Sequence, residues 1–124
     1  MIEAAGRIRR VLRTAGEAGV PDFVVNARCD VLVHGGDLED VIERGKAYLD
    51  PGATTMFVWG GVKREEVVKL AAAFGGRLNV LRNENGLSVR ELAEIGVARV
   101  SVGSLLQGKA LERIREVAGA LLEY

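Results

Sequence analysis

The sequence predicts an α/β fold built on a four-stranded parallel sheet. Two observations carry this. Four short apolar runs alternate with longer segments whose apolar residues recur at helical spacing. Glycine punctuates most of the junctions, with 16 Gly against 2 Pro in 124 residues. Strict alternation of strand and helix gives a parallel sheet, because each strand needs a crossover before the next can run in the same direction.

The elements follow in order. Ile2 to Glu17 places Ile8, Val11 and Leu12 on one side among Arg and Glu, the pattern of an amphipathic helix. Gly16 and Gly19 break it, and Val20-Pro21-Asp22 leads into Phe23-Val24-Val25-Asn26-Ala27-Arg28, a short β-branched run that reads as a buried strand. Asp37 is placed to cap the second helix, with Asp40 three residues on and Val41, Ile42 and Leu49 on the apolar face. Asp50-Pro51-Gly52 ends it, and Thr54 to Trp59 is the second strand. The third helix runs from Lys63 to Phe74, and the third strand is Leu78 to Leu81. Ser88 and Glu91 form a capping box for a short fourth helix closed by Gly96. Ala98 to Val102 is the last strand, and a final helix runs from Gly103-Ser104 to about Tyr124. Two architectures fit this order: a small doubly wound sheet, or half of a (βα)8 barrel, which needs roughly 250 residues when complete.

Composition bounds the function. Lys+Arg and Asp+Glu are 17 each, so the chain has no net positive field to attract nucleic acid or anionic membranes. The single Cys rules out an internal disulfide and suits a reducing compartment. No apolar run approaches the roughly 20 residues of a membrane span. The expectation is a cytoplasmic protein with residues 1–124 forming one domain.

In open parallel sheets and barrels alike, ligands sit beyond the carboxyl ends of the strands. Four groups of residues stand there. Arg28 and Asp30 either pair with each other or present a guanidinium to a carboxylate or phosphate. Cys29 reads as a small buried thiol. Gly60-Gly61 either lets a ligand approach the backbone or is an ordinary turn. Asn79, inside a strand, either bonds a ligand or bridges neighbouring strands. Asn83, Glu84 and Asn85 form a polar loop tip, and Gly103-Ser104 precedes the last helix. His34 is the one histidine, which excludes a multi-histidine metal site, and it reads as a surface residue in a loop.

These strand ends resemble a known family. Phe23 to Asp30 is similar to the "NARTDA" strand of the isocitrate lyase and phosphoenolpyruvate mutase superfamily. Val41 to Tyr48 and Gly52 to Gly60 resemble its "AIERAKAYxxAGADxIFVPG" segment. Asn79-Val80-Leu81 and Ser88 to Gly103 resemble "NVLxxPGxPSVAELAELGVARVSxG". The likeness covers nearly the whole chain and is strongest to the carboxyvinyl-carboxyphosphonate phosphorylmutase-like branch.

The resemblance implies a parallel (βα)4 half of a (βα)8 TIM-type barrel, with a leading and a final helix. It implies kinship with Mg²⁺-dependent enzymes that break or form C–C or C–P bonds of 2-oxo acids and carboxylates. The family's metal aspartates and gating loop belong to the half that precedes the matched segment, so the chain is expected to lack Mg²⁺ ligands and to be inactive by itself. Arg28 matches the residue that holds a substrate carboxylate, and Asn79, Gly60 and Asp30 complete the expected binding set. Trp59-Gly60 stands where the lyases carry a Glu, which counts against isocitrate or methylisocitrate lyase activity. Recruitment of Asp30 and Glu84 as metal ligands is a thin alternative.

A half barrel has two unpaired edges. With Val25, Phe57, Val80 and Val100 assigned to its inner face, self-association is expected. The partner is either a second copy, through exchange of the last helix as full-length relatives do, or a separate amino-terminal half. The competing reading is a non-catalytic, carboxylate-binding or structural half-barrel that oligomerises.

Overall fold

The computed structural model describes residues 2–60 and 63–122. Gly61 and Tyr124, named above, lie outside the described residues. The order is α1 (Ile2–Glu17), β1 (Asn26–Cys29), a 3-10 turn (Val31–His34), α2 (Leu38–Leu49), β2 (Thr55–Val58), α3 (Arg64–Ala73), β3 (Leu78–Leu81), α4 (Val89–Ile95), β4 (Arg99–Ser101) and α5 (Leu105–Leu122). The strands pair in parallel in the order β1-β2-β3-β4. A doubly wound sheet reverses strand order at its switch point. This sheet never reverses, so it has the sequential winding of a barrel half.

Local chemistry sets the helix starts as the sequence predicts. The Asp37 side chain accepts from the Asp40 N–H at 2.9 Å. The Ser88 N–H donates to Glu91 Oε2 at 2.8 Å while Glu91 N–H donates to Ser88 Oγ at 3.2 Å, the reciprocal capping box. The backbone hydrogen bond from Ser88 holds the Glu91 carboxyl below the usual carboxylate range.

The register decides what each face of the sheet carries. Residues in register point to the same side, and successive residues alternate. Ala27, Met56 and Leu78 are in register, as are Cys29, Val58 and Val80. All six are buried, in one core with Val41, Val67, Leu70 and Leu92 from α2, α3 and α4. The opposite set is Asn26, Arg28, Thr55, Phe57, Asn79, Leu81, Arg99 and Ser101. No described helix covers that face, and its chemistry is mostly polar. Thr55 Oγ1 donates to Asn26 Oδ1 at 2.7 Å, and Ser101 Oγ donates to Asn79 Oδ1 at 3.1 Å, so the two amide oxygens are served across the strands.

Two expectations change here. Of the three valines and one phenylalanine assigned to the inner face, Phe57 alone lies there. Val80 is buried beneath the helices, and Val25 and Val100 pack against the same core. Parity explains this: Val80 alternates with Asn79, and the apolar helices claim the Val80 side. The first strand also begins later than its apolar run suggests. The ladder opens where the Thr54 N–H bonds the Val25 carbonyl at 2.8 Å, and Phe23 and Val24 stay 47% and 56% exposed in the lead-in.

The final helix differs from the others. None of α5 is buried, and Leu106, Leu111, Ile114, Val117 and Leu121 are all exposed. Its described tie to the rest of the fold is an ion pair from Lys109 to Glu84 at 2.9 Å.

Packing between α2 and α3 is tight at one point. A Cβ placed on Gly45 would overlap the Phe74 ring, which is itself buried. Overpacking costs about 1–3 kcal/mol, whereas Gly→Ala inside a helix gains about 1 kcal/mol. Gly45→Ala is therefore expected to lower the thermal midpoint in the natural chain and to raise it in a Phe74→Leu background. A gain of equal size in both backgrounds contradicts this packing.

Candidate anion site at the strand ends

Arg28 sits at the end of β1 on the polar face, in register with Phe57. Its side chain is exposed and pairs with Asp30. Nε donates to Asp30 Oδ1 at 2.6 Å and Nη2 to Oδ2 at 3.1 Å, a side-on bidentate pair. That hydrogen bond raises the Arg28 pKa above its ordinary value. The guanidinium carbon also lies 3.8 Å from the centroid of the Trp59 ring, within cation–π range. Carboxylate and indole together fix the direction of Arg28 while leaving Nη1 free of both hydrogen bonds.

Arg28 borders a cavity of about 550 Å³ beyond the strand ends. Phe57 from β2, Trp59 just after it, Arg82 and Glu84 after β3, and Ser104 after β4 line it with Arg28. The floor is thus part apolar and the rim is charged. That mixture suits a small organic anion.

The other expected site residues fall in different places. Asp30 clamps Arg28 and is engaged through both oxygens. Asn79 is fully buried in the sheet, where it accepts from Ser101, and its Nδ2 has no partner among the described residues. It does not line this cavity. Gly60 has φ +136°, and a Cβ there would stand 3.0 Å from the Leu32 Cβ. Its place is a close approach between the β2 end and the 3-10 turn. Cys29 is buried on the helix side of the sheet, and His34 is exposed in the 3-10 turn.

Two cavity residues escaped sequence reasoning. Trp59 was legible as a departure from the lyase Glu, but its contact with Arg28 requires the fold. Arg82 reads as a loop residue, and the signal for it was its place as the first charged residue after β3.

Magnesium does not fit these residues. Among the described residues no group of three His, Cys, Asp or Glu side chains could hold a metal. Asp30 and Glu84, the two recruits considered, are committed to Arg28 and Lys109.

Comparison with known proteins places the chain. The phosphoenolpyruvate phosphomutase family model matches residues 1–122. The chain belongs to the phosphoenolpyruvate phosphomutase family. Among curated members, an uncharacterised protein of Mycobacterium tuberculosis is 34% identical over 103 residues, covering 82% of this chain and 40% of that protein. Solved structures of the wider phosphoenolpyruvate mutase/isocitrate lyase superfamily superpose closely. A lyase/mutase candidate from Burkholderia cenocepacia J2315 is 35% identical with a TM-score of 0.84, covering 97% of this chain and 44% of its own. An oxaloacetate acetylhydrolase in complex with its product oxalate gives a TM-score of 0.85 at 29% identity, over 98% of this chain and 43% of the enzyme. A 2,3-dimethylmalate lyase gives 0.82 at 28% identity, over 95% and 43%. The chain therefore spans less than half the length of these relatives. No described helix is long and apolar enough to cross a membrane.

Proposed function

We propose that this chain is the carboxyl-terminal (βα)4 half of a phosphomutase-type barrel and that its strand-end cavity binds a small carboxylate. The carrying observation is Arg28, held in one direction by Asp30 and Trp59 at the mouth of that cavity. A pre-oriented guanidinium loses little freedom on binding and suits a carboxylate. The named relatives act on or release oxo acids and dicarboxylates, which supports the same ligand class.

Bond cleavage in this family implies Mg²⁺, and the carboxylates for it come from residues other than those described. In this reading the half-barrel binds substrate, and turnover belongs to a complete barrel. Arg28 positions the carboxylate, Asp30 fixes Arg28, and Phe57 and Trp59 keep the floor dry. Cleavage or formation of a C–C or C–P bond is the reaction class. Thermal unfolding with millimolar oxalate reads the binding directly, because a ligand of the native state raises its stability. The natural chain is expected to shift upward, and Arg28→Ala to lose the shift. An unchanged midpoint with oxalate, pyruvate and oxaloacetate, with or without Mg²⁺, contradicts carboxylate binding.

A second observation favours self-association. The α5 stripe of Leu111, Ile114, Val117 and Leu121 has no cover among the described residues. Each large apolar side chain left in water costs about 1.5–3 kcal/mol relative to burial. The occupant proposed is a second copy of this chain, packed through α5. Light scattering at micromolar concentration is expected to return at least twice the chain mass. A species of single-chain mass contradicts it.

A further inference from the structure

We propose that the strand-end cavity selects a carboxylate that carries a bulky apolar group, an inference that rests on the carboxylate reading above and names its ligand class. Five apolar side chains line that cavity: Phe57, Trp59, Leu81, Val102 and Leu105. Each is half-buried. None belongs to the core or to the partly buried residues packed against it. The register sets Phe57 level with Arg28, and Leu81 level with Ser101, on the face turned away from α2, α3 and α4. The cavity walls therefore carry apolar surface that the described fold leaves partly wet. Covering it with an apolar part of a ligand is favourable.

Arg28 fixes the polar end of the ligand. Its guanidinium carbon stands 3.8 Å from the Trp59 ring centroid, so a carboxylate bonded to Arg28 lies beside the indole. Arg82 borders the cavity too, but alternation along β3 turns it to the Val80 side, and its Nε is closed to solvent. What meets the rest of the ligand is aromatic and aliphatic, with Glu84 at the rim. Glu84 disfavours a second, distant carboxylate. Size points the same way. The cavity holds about 550 Å³, inside the range of roughly 300–1,000 Å³ for pockets that enclose drug-sized ligands. A three-carbon acid leaves most of the apolar wall uncovered. A 2-oxo acid with an aryl or branched alkyl group covers it.

Calorimetric titration with pyruvate and with phenylpyruvate, which differ by one phenyl group, reads this preference. Phenylpyruvate is expected to bind about tenfold more tightly, a factor that apolar contacts in a pocket readily supply. Leu81→Ala and Leu105→Ala are each expected to weaken phenylpyruvate severalfold and to leave pyruvate unchanged, because Arg28 keeps Asp30 and Trp59. Arg28→Gln is expected to lose both acids. Unfolding midpoints establish that each variant is folded, and either leucine variant suffices if the other is not. If the two acids bind the natural chain equally, or the preference for phenylpyruvate survives the leucine substitutions, the inference falls and the carboxylate reading stands. If neither acid binds and oxalate does not either, both fall.

Discussion

Alternation along a parallel strand is the constraint on which the rest of this structure depends. Each strand has two faces, and α2, α3 and α4 all pack on the same one. The residues turned toward them are uniformly small or aliphatic: Ala27, Cys29, Met56, Val58, Leu78 and Val80. Shifting β1 or β3 by one residue would bring Arg28 or Asn79 under the helices, a charge or an amide in an apolar core. The core thereby fixes the register, and the register delivers the polar residues to the other side. The site follows from the core, since Arg28 is at the mouth of the cavity because Ala27 and Cys29 are beneath α2.

The polar face is organised by pairs. Thr55 serves Asn26, Ser101 serves Asn79, and Asp30 serves Arg28. Such a face tolerates water far better than an apolar one, so a four-stranded sheet with helices on one side is a coherent structure. The uncovered apolar surface lies instead on α5. This moves the physical case for self-association from the sheet to the last helix.

Much of the fold was legible in the sequence because its signals are local. Asp37 with Asp40, and Ser88 with Glu91, each announce a helix start through a side chain that reaches its own backbone. The four strands were legible as apolar runs between glycines. Their facing was not, because strands of three or four residues are too short to display a period of two clearly. Leu78-Asn79-Val80-Leu81 shows one polar residue in four, and nothing local says which side the helices take. At the site, Arg28 and Asp30 were legible as neighbours in sequence. Trp59 and Arg82 come near them only through strand pairing, so their places are set by the fold. Gly60 was read as either an opening for ligand or an ordinary turn, and the fold adds what no local signal gives: a Cβ there would stand 3.0 Å from the Leu32 Cβ. Family kinship supplied the choice of barrel half, which winding order in the sheet then bears out.

The central claim is that the helix-covered face is the core and the strand-end face does the binding. Backbone hydrogen exchange followed by mass spectrometry, with and without oxalate, addresses both halves of it. Without ligand, β2 and β3 are expected to exchange most slowly, as the central strands over the core. With oxalate, slowing is expected in the segments holding Arg28 to Asp30, Arg82 to Glu84 and Val102 to Leu105, with α2 and α3 unchanged. Slowing confined to the helices, or none at the strand ends at saturating oxalate, would contradict the account.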